Sequence, residues 1–170
     1  MPVGKKYDHP PLMAPGRHYT TLEEIWEICV ARFNEAGVRR NHYYRLEQLA
    51  QDLLIANIPC DIWIDGSILT EKMEPSDLDV TVIIDQDVNE NLTDDQRQLV
   101  DRINSPEYAD KVDSFVFVRL RRDDPDYGIE GIDSAFDWGE QYGRENGGEW
   151  LKGFAVLRVR ETDVGLFVCR

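Results

Sequence analysis

Asp61-Ile62-Trp63-Ile64-Asp65-Gly66-Ser67, nine intervening residues, and then Asp77-Leu78-Asp79-Val80-Thr81-Val82-Ile83-Ile84 form the stretch that decides the fold. The first segment reads as a strand ending in a Gly-Ser turn. The nine residues read as a short helical connection, and the second segment as a strand that opens on two acids. Residues two apart on a strand point to one face. Asp77 and Asp79 therefore stand together with Thr81, about 7 Å apart along the strand, while Leu78, Val80, Val82 and Ile84 face the other way and pack against helices. Two carboxylates held that close repel, and a divalent cation between them relieves the repulsion. Hard oxygen ligands of this kind suit magnesium. The Gly-Ser turn adds a hydroxyl and backbone N–H groups at the start of a helical turn, where a phosphate is stabilised. Ser67 also has the residue type of a helix N-cap, and Gly66 would let the backbone approach a phosphate closely.

This pattern resembles the nucleotidyltransferase superfamily typified by DNA polymerase β, in particular its small single-domain bacterial members. Gly66, Ser67, Asp77 and Asp79 match the Gly-Ser, spacer, Asp-x-Asp motif position by position. The close likeness covers about residues 58–85; residues 12–18 and 151–154 are similar to segments of these small proteins in a weaker way. The resemblance implies an α+β fold with a mixed β-sheet packed with helices, palm-like as in polymerase β. It also implies a magnesium-dependent transfer of a nucleoside monophosphate from a nucleoside triphosphate, ATP first, to a hydroxyl acceptor. Asp77 and Asp79 would be metal ligands and catalytic residues. Catalysing members carry a third carboxylate on a neighbouring strand. Asp113, early in the strand over 112–120, is the first candidate, with Asp110 and Asp123 behind it. Without that convergence the chain would be a catalytically silent binding relative, an acidic antitoxin-like or regulatory partner. Lys72, between the turn and the acids, and Arg119, on the Asp113 face of its strand, are the candidate phosphate-binding cations. Small bacterial members point to toxin–antitoxin or phage-defence modules, with a protein among the candidate acceptors.

Charge narrows the partners. The 170 residues hold 33 acids against 19 lysines and arginines, a net charge of −14. A protein that grips nucleic acid shows a basic face, so this balance disfavours an extended duplex. A local basic strip would have to come from Arg119, Arg121 and Arg122 or from Arg39 and Arg40. A triphosphate carried with magnesium fits the charge better. Cys29, Cys60 and Cys169 are odd in number and widely spaced, which reads as reduced thiols in a cytoplasmic protein. His9, His18 and His42 show no ligand spacing. No apolar run approaches a membrane span.

The rest of the chain divides into an extended arm over residues 1–19 and a single domain over 20–170. Thr21 with Glu24 forms a capping box ahead of Leu22, Ile25, Trp26, Cys29, Val30 and Phe33 at helical spacing, a helix expected to end near Gly37. A second helix carries Leu46, Leu49, Ala50, Leu53 and Leu54. Residues 85–95 read as a loop, and Thr93 with Gln96 caps a third helix. A surface loop over 121–132, a short helix around 134–144 and strands near 153–159 and 164–169 complete the expectation.

Overall fold

The structure, a computed structural model, describes residues 9–135 and 153–160. The expected helix around 134–144 and strand near 164–169 lie almost wholly or wholly outside these residues. Within them the chain is α+β: helices pack on a mixed five-stranded sheet. The strands are β1 (Gly16–Thr20), β2 (Cys60–Asp65), β3 (Leu78–Asp85), β4 (Val112–Arg119) and β5 (Gly153–Val159), in the order β1-β5-β2-β3-β4. β5 pairs parallel to β1 and antiparallel to β2. β3 pairs antiparallel to β2 and parallel to β4.

The register sorts the side chains into two faces. Ile62 and Ile64, Leu78, Val80, Val82 and Ile84, and Leu157 and Val159 share one face and are buried. Ser114, on the same face of β4, donates to the Ile103 carbonyl at the end of α4 (Asp94–Ile103), so α4 lies over this face. The Gln96 amide of α4 donates to the Ala56 and Asn57 carbonyls, tying α4 to the end of α2 (Gly37–Ile55). Leu46, Leu49 and Leu53 of α2 complete this core.

The other face carries Trp63, Thr81 and Val156, which are also buried. Thr81, on the face of the acids, is fully buried, so that face is not open along its whole length. Asp79, at the acid end, is half-buried, while Phe115 and Arg158 on the same face are exposed.

Both capping boxes form. Thr21 Oγ1 accepts from the Glu24 amide while Glu24 accepts from the Thr21 amide, and Thr93 and Gln96 repeat the exchange. The helix behind Thr21 differs from expectation. α1 (Leu22–Trp26) widens into a π-helical turn over Glu27–Ala31. Gly37 starts α2 instead of ending the first helix. The supposed loop at 85–95 contains the short α3 (Gln86–Glu90).

The arm is also more structured than an extended tail. Residues 16–20 form β1. Further back, the Leu12 amide donates to Leu69 O at 2.9 Å and the Glu71 amide to Pro10 O at 2.9 Å. These residues therefore belong to the domain. No described helix is long and apolar enough to cross a membrane.

Candidate functional site

The sheet topology gathers the acids at one end. β2 finishes at Asp65, β3 begins at Leu78 and β4 begins at Val112, all at the same edge of the sheet. Asp65 pairs with Asp79 across the antiparallel β2–β3 ladder, and Asp79 with Asp113 across the parallel β3–β4 ladder. Paired residues on neighbouring strands share a face, and strands lie about 4.8 Å apart. Asp65, Asp79 and Asp113 thus form one row whose backbone positions span about 10 Å. Asp113, the first candidate for a third carboxylate, stands in register with Asp79. It is exposed, whereas Asp79 is half-buried. Among the described residues, no three His, Cys, Asp or Glu side chains are drawn closely enough together to close around an ion.

Gly66 explains how the turn and the acids meet. Its φ is +80°, and a Cβ placed there would lie 1.7 Å from Asp79 Oδ2 and 2.7 Å from Asp79 Cγ. The Asp79 carboxylate therefore rests against the Gly66 backbone in space that any other residue would fill. This close approach, together with a φ that L side chains rarely adopt, is the reason for glycine here. Ser67 opens a single 3₁₀ turn (Ser67–Leu69), not a longer helix. Its hydroxyl makes no capping bond. Ser67 Oγ is buried and has no hydrogen-bond partner among the described residues, an expensive state for a hydroxyl unless a ligand completes it.

Asp77 lies one residue before β3, outside the ladder. Its place is held through its neighbours. The Leu78 amide donates to Lys111 O at 2.9 Å, and His42 Nε2 lies 3.0 Å from Pro75 O. His42 is fully buried, and this desolvation holds its imidazole below the usual range; the carbonyl of Pro75 and the Asp77 carboxylate pull the other way.

One turn earlier on α2, Arg39 is likewise fully buried. Its guanidinium donates to the carbonyls of Cys29, Ile68, Thr70 and Lys72 and lies 3.7 Å from the centre of the Phe33 ring. Arg39 and His42 thus bind four carbonyls of the connection between Ser67 and Asp77. Neither residue was among the expected site residues. Helical periodicity carries the signal: residues 39, 42, 43 and 46 fall on one face of α2, continuous with the apolar stripe already visible at Leu46, Leu49 and Leu53.

The expected cations fare differently. Lys72 stays beside the connection, its Nζ 3.5 Å from Ser76 Oγ, next to Asp77. Arg119 pairs in register with Asp85, six residues along β4 from Asp113, which is about 20 Å at the strand rise. It is bound there by Asp61 at 2.6 Å and Asp85 at 3.0 Å. The structure does not bring it to the acids. The basic strip also dissolves, because Arg39 is buried and Arg121 is ion-paired with Asp87 and Glu90. Cys29 and Cys60 are buried free thiols. Burial pushes the Cys29 thiol up to about 12, so it is a core group and no nucleophile.

No curated protein and no solved structure matches the chain. A family of unknown function (DUF6932) matches residues 5–158, and the chain belongs to that family.

Proposed function

We propose that this DUF6932 member is a magnesium-dependent nucleotidyltransferase with a palm-like fold of the polymerase β type. The observation that carries the reading is the acid row set against the Gly-Ser turn. The Asp79 carboxylate packs on Gly66, in register with Asp113 on the parallel neighbour, and the buried Ser67 hydroxyl beside it has no partner among the described residues. The β2–β3–β4 order, antiparallel then parallel with acids at the β3 and β4 starts, supports the finer fold assignment.

The donor set fits the metal, since carboxylates and a hydroxyl are hard oxygen ligands. Asp77 and Asp79, with Asp113, would hold magnesium, which when bound supplies neutralising charge and acidifies an attacking hydroxyl. Ser67 would donate its hydroxyl hydrogen to a phosphate oxygen. Gly66 keeps the turn low enough for Asp79 to share that space. Arg39 and His42 fix the connection so that turn and acids keep their spacing, and positioning of this kind supplies much of the rate in phosphoryl chemistry. The donor is a nucleoside triphosphate, ATP first. The acceptor is a hydroxyl, on a protein if the chain works in a cytoplasmic toxin–antitoxin or phage-defence module.

The distance left between the carboxylates and the exposure of Asp113 favour a second reading, a catalytically silent binding relative. One experiment separates the two. Parent and Asp79→Asn are melted with and without magnesium and ATP, and α-labelled triphosphate is followed for transfer to candidate acceptors. A hundredfold excess over Kd stabilises the parent by about 2.7 kcal/mol, several degrees for a domain of this size, and Asp79→Asn gains almost nothing. A parent that does not shift at millimolar ligand defeats the metal–nucleotide reading. A parent that shifts but transfers no label is the binding relative.

A further inference from the structure

The row of acids continues across the whole sheet. Arg17 of β1 pairs with Phe154 of β5. The β2–β5 register runs to Ile64↔Ala155, so Phe154 comes next to Asp65 one step further along. Arg17, Phe154, Asp65, Asp79 and Asp113 therefore occupy one level on one face of five strands.

Arg17 is exposed, and its guanidinium leans inward over this face, with Cζ 4.9 Å from the centre of the Trp63 ring and 5.5 Å from that of Phe154. The rings hold the cation in place while its five N–H donors remain available. It forms no ion pair with any described acid, unlike Arg119 and Arg160, which are both spent on Asp61. The backbone that presents it is pinned. A Cβ on Gly153 would lie 2.1 Å from Ala14 O, and His18 Nε2 lies 2.7 Å from the same carbonyl. At its other end the arm is hydrogen-bonded to the Ser67–Asp77 connection.

We infer that Arg17 binds the phosphate oxygens that a metal-bound triphosphate turns away from the acid row, and so sets the preference for triphosphate over monophosphate. The inference rests on the nucleotide reading above. A magnesium–triphosphate complex is bipolar. Its metal side faces carboxylates, and its remaining anionic oxygens call for a planar donor such as guanidinium. Among the described residues, Arg17 is the cation that the sheet register sets at the level of the acids and on their face. Arg158, the next candidate on that face, is opposite Asp61 at the far end of β2 and lies over Tyr19.

The test is titration of the full chain, in magnesium, with ATP and with AMP, for the parent, Arg17→Gln and Arg17→Lys. Gln keeps most of the stem that covers the rings and drops the charge; Lys restores the charge without the planar fork. Melting without nucleotide establishes that each variant is folded. The parent is expected to bind ATP at least tenfold more tightly than AMP. Arg17→Gln should lose that preference while binding AMP as the parent does, and Arg17→Lys should recover part of it. A folded Arg17→Gln that keeps the parent's ATP affinity within twofold overturns the role of Arg17 and leaves the nucleotide site standing. A parent that binds neither nucleotide overturns both.

Discussion

The two ends of this sheet hold acids in opposite electrical settings. At one end, Asp61 is buried and bound by Arg119 at 2.6 Å and Arg160 at 3.4 Å, and Asp85 shares Arg119 at 3.0 Å. At the other end, Asp65, Asp79 and Asp113 line up in register with Asp77 just beside them. There, Asp77 and Asp113 make no ion pair among the described residues. That end also has a fully buried arginine, Arg39, whose guanidinium is used on backbone carbonyls. An acid matched by a fixed cation stabilises the fold and is chemically spent. Acids gathered in one row repel, and a bound cation would relieve that repulsion. On the proposed reading, the end bound by arginines is structural and the end with the acid row is the candidate site.

The largest expected effect comes from removing what holds the acid end together. Arg39→Met leaves four buried or half-buried carbonyls without their donor. Unsatisfied buried groups cost about 1–3 kcal/mol each before relaxation, so the variant should lose about 3 kcal/mol or more in denaturant unfolding. Should it unfold at the parent midpoint, the connection is held by something other than Arg39.

Next comes a paired test of the comparison itself. Asp61→Asn and Asp79→Asn each remove one negative charge from the same face of the sheet. The first abandons two arginines that are more than a third exposed, which tempers the loss to about 1–2 kcal/mol. The second removes one member of a like-charged row and should cost less than the first, within about 1 kcal/mol of the parent. Equal losses from the two variants would make Asp79 a structural acid like Asp61, and the contrast between the ends would collapse.

Much of this was readable from local pattern. The capping boxes at Thr21 and Thr93, the strands around 61–65, 78–84 and 112–120, and the Gly-Ser to Asp-x-Asp spacing are all short-range features, and alternation singled out Asp113 within its strand. What escaped depends on long-range pairing. Asp65 joined the acids only because β2 runs antiparallel to β3 in a register that sets it opposite Asp79. Arg17 reached the same level only because β1 pairs with β5, more than a hundred residues away in the chain. Arg119 misled because sharing a face with Asp113 says nothing about distance along the strand. Arg39 beside Arg40 looked like a surface pair. One helical step of 100° buries the first fully and exposes the second, and starting the helix at Gly37 is what reveals it.

The smallest effect is a pH dependence at the acid end. His42 is fully buried on α2 beneath Pro75 O, with Arg45, Asp77 and Lys111 as the charged groups acting on it. Desolvation dominates and lowers its pKa from the ordinary 6.5, the Pro75 carbonyl and Asp77 oppose the shift, and Arg45 and Lys111 add to it. The folded state therefore prefers neutral imidazole. Above the unfolded-state pKa, both states carry neutral His42 and its contribution is fully present. As pH falls below 6.5 the unfolded chain takes up the proton first, and stability is lost until the folded pKa is passed. Parent stability should therefore fall more steeply below pH 6.5 than that of His42→Gln, whose amide can still donate to Pro75 O but does not titrate. Carboxylates elsewhere titrate equally in both proteins, so the difference between the two curves isolates His42. Parallel curves from pH 7 to pH 5 would mean that the imidazole is charged or solvent-accessible in the fold, and the sealed packing beneath Pro75 would have to be abandoned.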